Sequence, residues 1–482
     1  MELQFHKTEY PYLRNILSQS QTQEQTLEIK LSDGMPEIGR VLLSWGQPVL
    51  RSKEWRNDGA QVTGGVMAWV LYQPEDGSMP RTVEGWIPFQ LRWDFPADQQ
   101  DGLLIVQPAL RHIEARCISA RKLMLRADIA AKLQALRPDA LELSVPTDVP
   151  EQVQVLKKAY SVQMVTEAGE KAFLIDEDLQ PPEDMEQILY YTLQPSIHDH
   201  KVIADKVVFR GTAQLHALYI STDGRISVWE QDMPFSQFAE LDREYTQAAA
   251  KVIPVVTSVE MDKADQSGVR LKASLTGQYV VNSEKDLELI EDAYCPGKKT
   301  CIQTNTVMLP VYQETALQQT TAQASVEGDV LDVNFLPGVP CTKGQNADLS
   351  GRFQVLYRDE EGSLQGDTMR WAAELPLSAT DVSGLSLEGQ GRPQIITNMA
   401  RAELLLEVEC ENSEEKKIVT GLTAEDMPED LNRPSLILRR MGTDSLWEIA
   451  RECDSTVDRI MEANGLQELP PKDKMLLIPV VS

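Results

Sequence analysis

The side chains in this chain that are best suited to bind a metal or to react form no complete site. His198 and His200 flank Asp199 and could share a metal ion from one strand, because side chains two residues apart in a strand lie on the same face. The chain has only five histidines and no second ligand pair near this segment. We therefore interpret it as a loop at the end of a strand rather than a metal site.

Two cysteines and several acidic runs also fail to make a site. Cys295 and Cys301 enclose a turn with two lysines, which could pair the thiols or activate one of them. The six cysteines form no Cys-x-x-Cys motif, which is typical of a compartment where thiols stay reduced, so we interpret them as ordinary thiols. Acidic runs at 176–178, 183–184 and 411–415 lack basic partners and calcium-loop spacing, so we expect them to be solvated. The residues predict no catalytic group, metal or cofactor, and the chain is expected not to be an enzyme.

The charge balance excludes one class of partner. The 482 residues include 46 Lys and Arg against 74 Asp and Glu, which gives a net charge of −28. A surface this acidic repels a phosphate backbone, so nucleic acid is not an expected partner. The N-terminal residues lack the pattern of a secretory signal, and no window approaches the roughly 20 apolar residues of a membrane span. We expect a cytoplasmic protein with no transmembrane segment.

A repeated pattern divides most of the chain into three units. Each unit has an apolar strand that ends in a tyrosine, at Tyr72, Tyr219 and Tyr357. An Asp-Gly or Glu-Gly turn follows, and then a proline between apolar residues. The tyrosines are 147 and 138 residues apart, which is the size of a small domain rather than of a solenoid repeat. The pattern predicts three related domains in series.

A second shared element identifies the fold class. Apolar and polar residues alternate over 121–135, 269–279 and 401–409. Ala and Leu favour a helix in the first segment, but on a helix side chains with this spacing would point in all directions. The period of two therefore predicts long strands with one buried face. Together with the turns, it predicts a mainly β fold of tandem antiparallel β-sandwich or barrel-like units.

The positions of these elements predict the domain boundaries. We expect a polar lead-in at 1–25, three β units at 26–140, 152–300 and 308–422, and a linker at 423–434. A second linker pattern, rich in proline, lies at 137–151.

The last 48 residues, 435–482, predict a small βααβ module. Each of its two helices has one apolar stripe, and a strand lies at either end of the segment. The helix starts and the final helix stop are marked by capping residues: Asp444 or Ser445, Ser455 or Thr456, and Asn464 with Gly465.

The module has distinctive segments at 442–450, 456–457, 463–466 and 476–479, and an apolar Ile460 between them. In these positions it resembles the LysM family, and the resemblance covers about a tenth of the chain. It implies a groove between two loops that recognises N-acetyl sugars through backbone amides and carbonyls. The residues that the resemblance assigns to this groove are Gly442, Thr443, Asp444, Ser445, Asn464, Gly465, Leu466 and Gln467.

The groove residues also have a simpler structural interpretation. Asp444, Ser445, Asn464 and Gly465 are helix caps in either case, and Trp447 is expected in the core of the module. The sequence departs from the common LysM pattern at Met441, Thr443, Asp444, Lys472 and Asp473. These departures favour a protein ligand over a sugar.

The middle unit has distinctive segments at 205–208, at 211–226 with the sequence GTAQLHALYISTDGRI, and at 233–236 and 259–260. In these segments it resembles the SPOCS domain of endospore-forming Firmicutes. SPOCS units followed by a terminal LysM are similar to the clostridial spore-coat morphogenetic proteins. This resemblance implies a non-enzymatic scaffold in the mother cell, at the forespore surface.

The same resemblance implies two kinds of partner. The LysM is expected to dock to the ATPase of the spore-coat basement layer or to another coat protein, and self-assembly is possible. The alternative is a peptidoglycan-binding protein of the spore cortex or cell wall, whose LysM holds N-acetylglucosamine glycan.

Overall fold

The computed structural model describes residues 1–96, 102–145, 147, 149–263, 268–377, 382–427, 433–467 and 473–481, with the side chains of 310–314 and 411–412 excluded. The alternating segments are strands, as their period of two predicts. Leu123, Leu125 and Ala127 are completely buried, whereas Met124 and Arg126 between them are exposed. One face of this strand therefore lies in a core and the other in solvent.

The first unit consists of two antiparallel sheets that close on each other. Its strands follow a short β1 (Glu2–Gln4) and are β2 (His6–Lys30), β3 (Ile38–Arg56), β4 (Gly59–Pro74), β5 (Arg81–Asp94), β6 (Leu103–Ser119) and β7 (Lys122–Val145). One sheet has the order β2-β7-β6 and the other β3-β4-β5. Because β3 lies beside β6 and β2 beside β5, the sheets form a barrel-like sandwich. Val66, Ile87 and Leu125 meet in its core.

The second unit repeats this arrangement. Its strands are β8 (Gln154–Leu179), β9 (Met185–Ser221), β10 (Ile226–Tyr245), β11 (Ala248–Lys263) and β12 (Val269–Tyr294). The sheets are β8-β12-β11 and β9-β10. Strand β9 doubles back on itself, as two hydrogen bonds between its halves show. The Ser196 hydroxyl donates to the carbonyl of Thr212 at 3.2 Å, and the Thr222 N–H donates to the carbonyl of Asp184 at 3.0 Å. Its two halves correspond to β3 and β4 of the first unit.

The third unit has the same plan, with shorter strands between its long first and last strands. Its strands are β13 (Lys298–Ser325), β14 (Asp329–Pro337), β15 (Cys341–Lys343), β16 (Asn346–Arg358), β17 (Leu364–Pro376), β18 (Val382–Gly389), β19 (Gln394–Ile396) and β20 (Met399–Asp426). One sheet joins β13, β18, β19 and β1 to β20, and the other joins β14, β15 and β17 to β16. In every unit the first long strand pairs with the last: β2 with β7, β8 with β12 and β13 with β20.

The turn after each repeated tyrosine has the expected conformation. Gly77, Gly224 and Gly362 have φ values of +73°, +80° and +80°, in the left-handed region that glycine adopts without strain. Each turn joins the tyrosine strand to the next strand of its hairpin.

The repeated proline is equivalent in only two of the three units. Pro88 lies opposite Gly65, and Pro234 lies opposite Thr212, in both cases seven residues before the tyrosine of that hairpin. Pro376 lies opposite Asn346, eleven residues before Tyr357. The apolar residues around Pro376 therefore resemble the motif without sharing its register.

The structure places the expected lead-in and linkers largely within strands. Residues 6–25 belong to β2, although their polar composition predicts a lead-in, because backbone pairing with β7 does not depend on side-chain polarity. Likewise, 137–145 continues β7, and the expected linker at 423–434 begins inside β20. Residues 428–432 of that linker lie outside the described residues.

The three long strand pairs extend beyond the sandwiches and pack together. The pairing with β6, β11 and β18 ends at Leu136 of β7, Ser283 of β12 and Cys410 of β20. Beyond these points the long pairs continue, joined at the end of β20 by the short strand β1. We call these paired ends the stalk; they are 6–15 with 136–145, 154–163 with 284–294, and 298–309 with 414–426. The stalk has its own core, to which all three units contribute: Leu141, Leu143, Val162, Met164, Leu287, Leu289, Val307, Leu309 and Ile418.

Buried glutamines join the units to one another. The amide of Gln278 in the second unit donates to the carbonyl of Val106 in the first at 2.7 Å and accepts from its N–H at 3.0 Å. Gln354 in the third unit donates to the carbonyl of Ser44 in the first at 2.6 Å. Because a buried amide must be hydrogen-bonded, these contacts specify how the units fit together.

The tail module lies beyond the stalk. Its elements are β21 (Leu436–Arg440), α1 (Leu446–Glu452), α2 (Val457–Ala463) and β22 (Met475–Pro479), and the two strands pair antiparallel. This is the βααβ order that the capping residues and apolar stripes predict.

Candidate functional site

The tail module contains the site residues assigned by the sequence, and its first helix is defined by a capping box. The Ser445 hydroxyl accepts from the N–H of Glu448 at 3.2 Å, while the Glu448 carboxylate accepts from the N–H of Ser445 at 2.7 Å. The hydrogen bonds from Ser445 hold the pKa of Glu448 below its ordinary value. Of the two candidate caps, Ser445 is therefore the one used, and Asp444 precedes it.

The second helix begins at Thr456 and ends at Asn464. The Thr456 hydroxyl accepts from the N–H of Arg459 at 3.2 Å. The Asn464 side chain donates to the carbonyl of Leu477 at 2.7 Å and accepts from its N–H at 2.8 Å, in the manner of a neighbouring strand. Gly465 follows with φ +58°. The amide of Asn464 thus holds α2 against β22 and is already occupied by the protein.

A small core holds the two loops of the expected groove. Its buried members are Leu446, Ile449, Ala450, Cys453, Ile460, Leu476 and Ile478, together with Tyr294 from the end of β12. Met441, just before the first loop, and Leu466, in the second loop, both pack against this core. Both loops are therefore anchored to the same small core. The hydrogen bonds of the helix caps and of the Asn464 side chain fix the conformations of the loops.

The module is docked against the second unit. The side-chain N–H of Trp447 donates to the Asp292 carboxylate at 2.8 Å, and Arg451 donates to the same oxygen at 2.6 Å. The Tyr294 ring meets the Trp447 ring edge to face at 4.9 Å, and the Tyr294 hydroxyl donates to the carbonyl of Ser455 at 2.9 Å. Burial raises the pKa of Tyr294, so this hydroxyl stays protonated and remains a donor.

The two loops of the expected groove are largely exposed. We call 442–445 the first rim and 464–467 the second rim. Gly442, Thr443, Ser445, Gly465 and Gln467 are exposed, and the remaining rim residues are half-buried. The rims contain no aromatic side chain, so they can offer backbone groups, hydroxyls, amides and one carboxylate to a ligand.

One ion-pair group stiffens the first rim. Arg439 on β21 donates to the Asp444 carboxylate at 2.6 Å and to the Glu452 carboxylate at 2.5 Å. The rim carboxylate is therefore neutralised within the module. A ligand at the rims would meet mainly neutral polar groups.

The histidine and cysteine clusters singled out in the sequence lie in β9 and around the turn between β12 and β13. His198 and His200 lie inside β9 rather than in a loop, and His198 contacts the Thr212 hydroxyl at 3.0 Å. Among the described residues, no group of three His, Cys, Asp or Glu side chains could hold a metal ion. Cys295 is buried and Cys301 exposed, without a disulfide between them, and burial raises the pKa of the Cys295 thiol.

Sequence reasoning missed a buried charged cluster between the second and third units. Asp332 on β14 accepts from the Tyr190 hydroxyl at 2.5 Å and from Arg392 at 3.1 Å, and its carboxylate lies 3.1 Å from His216. Burial alone would raise the pKa of Asp332, but the charges of His216 and Arg392 outweigh it and lower the pKa to about 2. No local motif marks this cluster. Tyr190 and His216 both lie more than 100 residues before Asp332 in the chain.

A second missed cluster joins all three units. Glu409 of the third unit contacts Lys132 of the first at 2.9 Å and Lys251 of the second at 3.3 Å, and Lys251 also contacts Glu407 at 2.5 Å. In the sequence, these lysines alternate with apolar residues and are indistinguishable from a solvated strand face. Only the packing of the units brings them together.

Two parts of the chain match known families. A family model of the SipL SPOCS domain matches residues 184–264, which run from the start of β9 to the end of β11. A family model of the LysM domain matches residues 443–476, which run from the first rim into β22. Both resemblances expected from the sequence are therefore confirmed. No curated protein and no solved structure matches the chain.

These matches define the chain as a protein that combines a SPOCS domain with a C-terminal LysM domain. The combination indicates a protein related to sporulation that binds peptidoglycan or acts as an adaptor. In the part of the chain that the structure describes, no helix is long and apolar enough to cross a membrane.

Proposed function

We propose that this chain is a non-enzymatic scaffold of the endospore envelope that docks to a partner protein through the rims of its LysM module. It acts in the mother cell, at the forespore surface. The partner is the ATPase of the spore-coat basement layer or another coat protein. The matches to the SPOCS and LysM models support the connection with sporulation.

The contacts of Trp447 with the second unit are the observation that supports this proposal most strongly. Trp447 is the only aromatic residue between 433 and 482, and it binds Asp292 and packs against Tyr294. Stacking on an aromatic ring would add to the backbone contacts of a sugar site, but Trp447 is engaged by the second unit. The exposed rims offer short polar side chains and backbone groups, which can contact a protein surface.

The rest of the molecule has the properties of a rigid support. One continuous core includes Trp45 of the first unit, Leu215 of the second and Leu356 of the third. The stalk continues this connection to the module. A partner held at the rims is therefore held in a fixed orientation relative to the three β units.

Peptidoglycan binding is the second candidate, and the LysM match at 443–476 favours it. The rims that could dock a protein are the same segments that would hold an N-acetylated glycan. The two candidates differ in the ligand, not in the location of the site.

Titration of the full chain with two ligands separates the candidates. We expect the purified basement-layer ATPase to bind saturably, and Thr443→Arg to weaken this binding at least tenfold, because an arginine on the exposed rim blocks close approach. N-acetylglucosamine oligomers should give no saturable binding. Saturable oligomer binding that Thr443→Arg abolishes, with ATPase binding unchanged, would instead establish the glycan function.

The control for this titration is Thr306→Arg. Thr306 is also an exposed threonine, but it lies on the stalk strand β13, away from the rims. It adds the same side chain and charge, so an equal loss of binding with this variant would show a non-specific effect.

A further inference from the structure

Three arginines converge in a cleft between the first and third units. Arg111 on β6, Arg352 on β16 and Arg370 on β17 line a cavity of about 390 Å³, with His112 and Trp371 at its walls. This volume lies in the range of small-molecule sites, which is about 300–1,000 Å³. We call this cavity the arginine cleft.

Two of these arginines are placed directly opposite each other. Arg352 and Arg370 are cross-strand partners in the β16–β17 pair. Like charges at such positions repel each other and destabilise the sheet. Burial and the positive charges of Arg370 and Arg111 lower the pKa of Arg352 below its ordinary value. The cleft therefore concentrates positive charge at a cost to the stability of the fold.

Within the described residues, none of the three guanidinium groups has a carboxylate within 4 Å of its nitrogens. The Nε of Arg111 is buried and has no hydrogen-bond partner. Unpaired arginines are unexpected in a chain with a net charge of −28, because acidic partners are abundant.

The acidic residues near the cleft do not neutralise it by direct contact. Asp128 lines the cavity, and its charge acts on Arg352 from a distance. Glu114 lies 3.1 Å from Arg116 and 3.6 Å from His112, so its carboxylate is already shared. A ligand with several negative charges would complete the set of partners that the protein itself lacks.

We propose that the arginine cleft binds a phosphoryl anion. Guanidinium groups form paired hydrogen bonds with phosphoryl oxygens, and a phosphoryl group offers three acceptor oxygens and up to two charges. A single carboxylate offers two oxygens and one charge, which is too few for three arginines. The anion binds between β6 of the first unit and the β16–β17 pair of the third, and so ties these two units together. This site is separate from the rims of the LysM module.

The test is isothermal titration of the full chain with inorganic phosphate, pyrophosphate and ATP. We expect saturable binding of pyrophosphate, and a loss of affinity of at least tenfold in Arg352→Gln and Arg370→Gln. ATP binding at least tenfold tighter than pyrophosphate would assign the natural ligand to the nucleotides, and equal or weaker ATP binding would assign it to the inorganic phosphates. No saturable binding of any of the three anions, or binding that both variants leave unchanged, would overturn the proposal.

The matched control is Arg243→Gln, which removes one positive charge from an exposed position on β10 of the second unit. It should leave pyrophosphate affinity within a factor of two. An equal loss of affinity in this variant would mean that the anion responds only to net charge, which would also overturn the proposal.

Thermal unfolding provides an independent readout. Without an anion, Arg370→Gln should melt at a higher temperature than the wild type, because it removes the cross-strand repulsion with Arg352. Pyrophosphate should then raise the melting temperature of the wild type but not of the variant. A variant that melts lower than the wild type without an anion, and gains equally from pyrophosphate, would contradict a ligand-binding role.

Discussion

The Asp292 carboxylate at the end of β12 accepts a hydrogen bond from the side-chain N–H of Trp447 at 2.8 Å, and this bond joins the LysM module to the second β unit. The two residues are 155 positions apart in the chain. Together with the Tyr294 ring, they give the module a fixed position on the stalk. The orientation of the rims depends on this contact.

We expect Asp292→Ala to release the module without unfolding the β units. The change leaves the Trp447 N–H and Arg451 without their acceptor, and hydrogen bonds to a charged group contribute about 1.5–3 kcal/mol each. Hydrogen exchange should rise across α1, while the β strands keep their protection. Asp286→Ala, which removes an exposed carboxylate from the same strand, should leave hydrogen exchange unchanged in both α1 and the β strands. Unchanged exchange in Asp292→Ala would contradict the docked arrangement.

The three β units are expected to unfold together. Trp45 of the first unit stacks on Tyr190 of the second at 4.1 Å, and both are completely buried, so separation of the units exposes large aromatic surfaces. Full-length protein should give one cooperative thermal transition by circular dichroism. The isolated segment 152–300 should show no cooperative transition. A sharp melt of that segment alone would mean that the units are independent domains.

Asp332→Asn should destabilise the whole β body. The change leaves Arg392 and His216 without the buried carboxylate that faces them, and the loss of one partner from a buried ion pair costs about 3–5 kcal/mol. The free energy of unfolding can be measured in urea. Asp329→Asn, an exposed position on the same strand, should change it by no more than about 0.5 kcal/mol. Equal effects of the two variants would show that the cluster does not stabilise the protein.

The same cluster predicts an acid limit to stability. The pKa of Asp332 is about 2 in the folded protein, against about 3.9 in an unfolded chain. A lowered folded pKa stabilises the protein fully above the unfolded value, and this contribution is lost as the pH falls from about 4 to about 2. Urea titrations at several pH values should show a smaller loss over this interval in Asp332→Asn than in the wild type. Parallel losses in both proteins would contradict the assignment.

Much of the fold could be predicted from local patterns. The period of two at Leu123, Leu125 and Ala127 identified a one-sided strand against a strong helical propensity, because burial of one face outweighs intrinsic preference. The capping residues placed the start of α1 to within one residue, at Asp444 or Ser445, and the structure uses Ser445. Each of these two signals is formed by residues only a few positions apart in the chain.

The parts that could not be predicted depend on contacts between distant segments. The polar residues 6–25 form a strand because their backbone pairs with β7. No pattern of side chains in the sequence indicates this pairing. Lys132 and Glu409 meet only when the first and third units are assembled. For the site, the resemblance assigned the two rims, and this assignment stays a prediction. The sequence did not reveal that the side-chain N–H of Trp447 binds Asp292; that contact is seen only in the structure.

We propose that the LysM rims dock to a partner protein at the forespore surface. The most direct test of this proposal is the location of fluorescent full-length protein in sporulating cells that lack the unlabelled copy. Thr443→Arg is the rim variant of choice, because Ser445 also caps α1 and its replacement would disturb the helix. We predict that the wild type and Thr306→Arg form a ring around the forespore, while Thr443→Arg stays diffuse at equal abundance. A normal ring formed by Thr443→Arg would contradict the account.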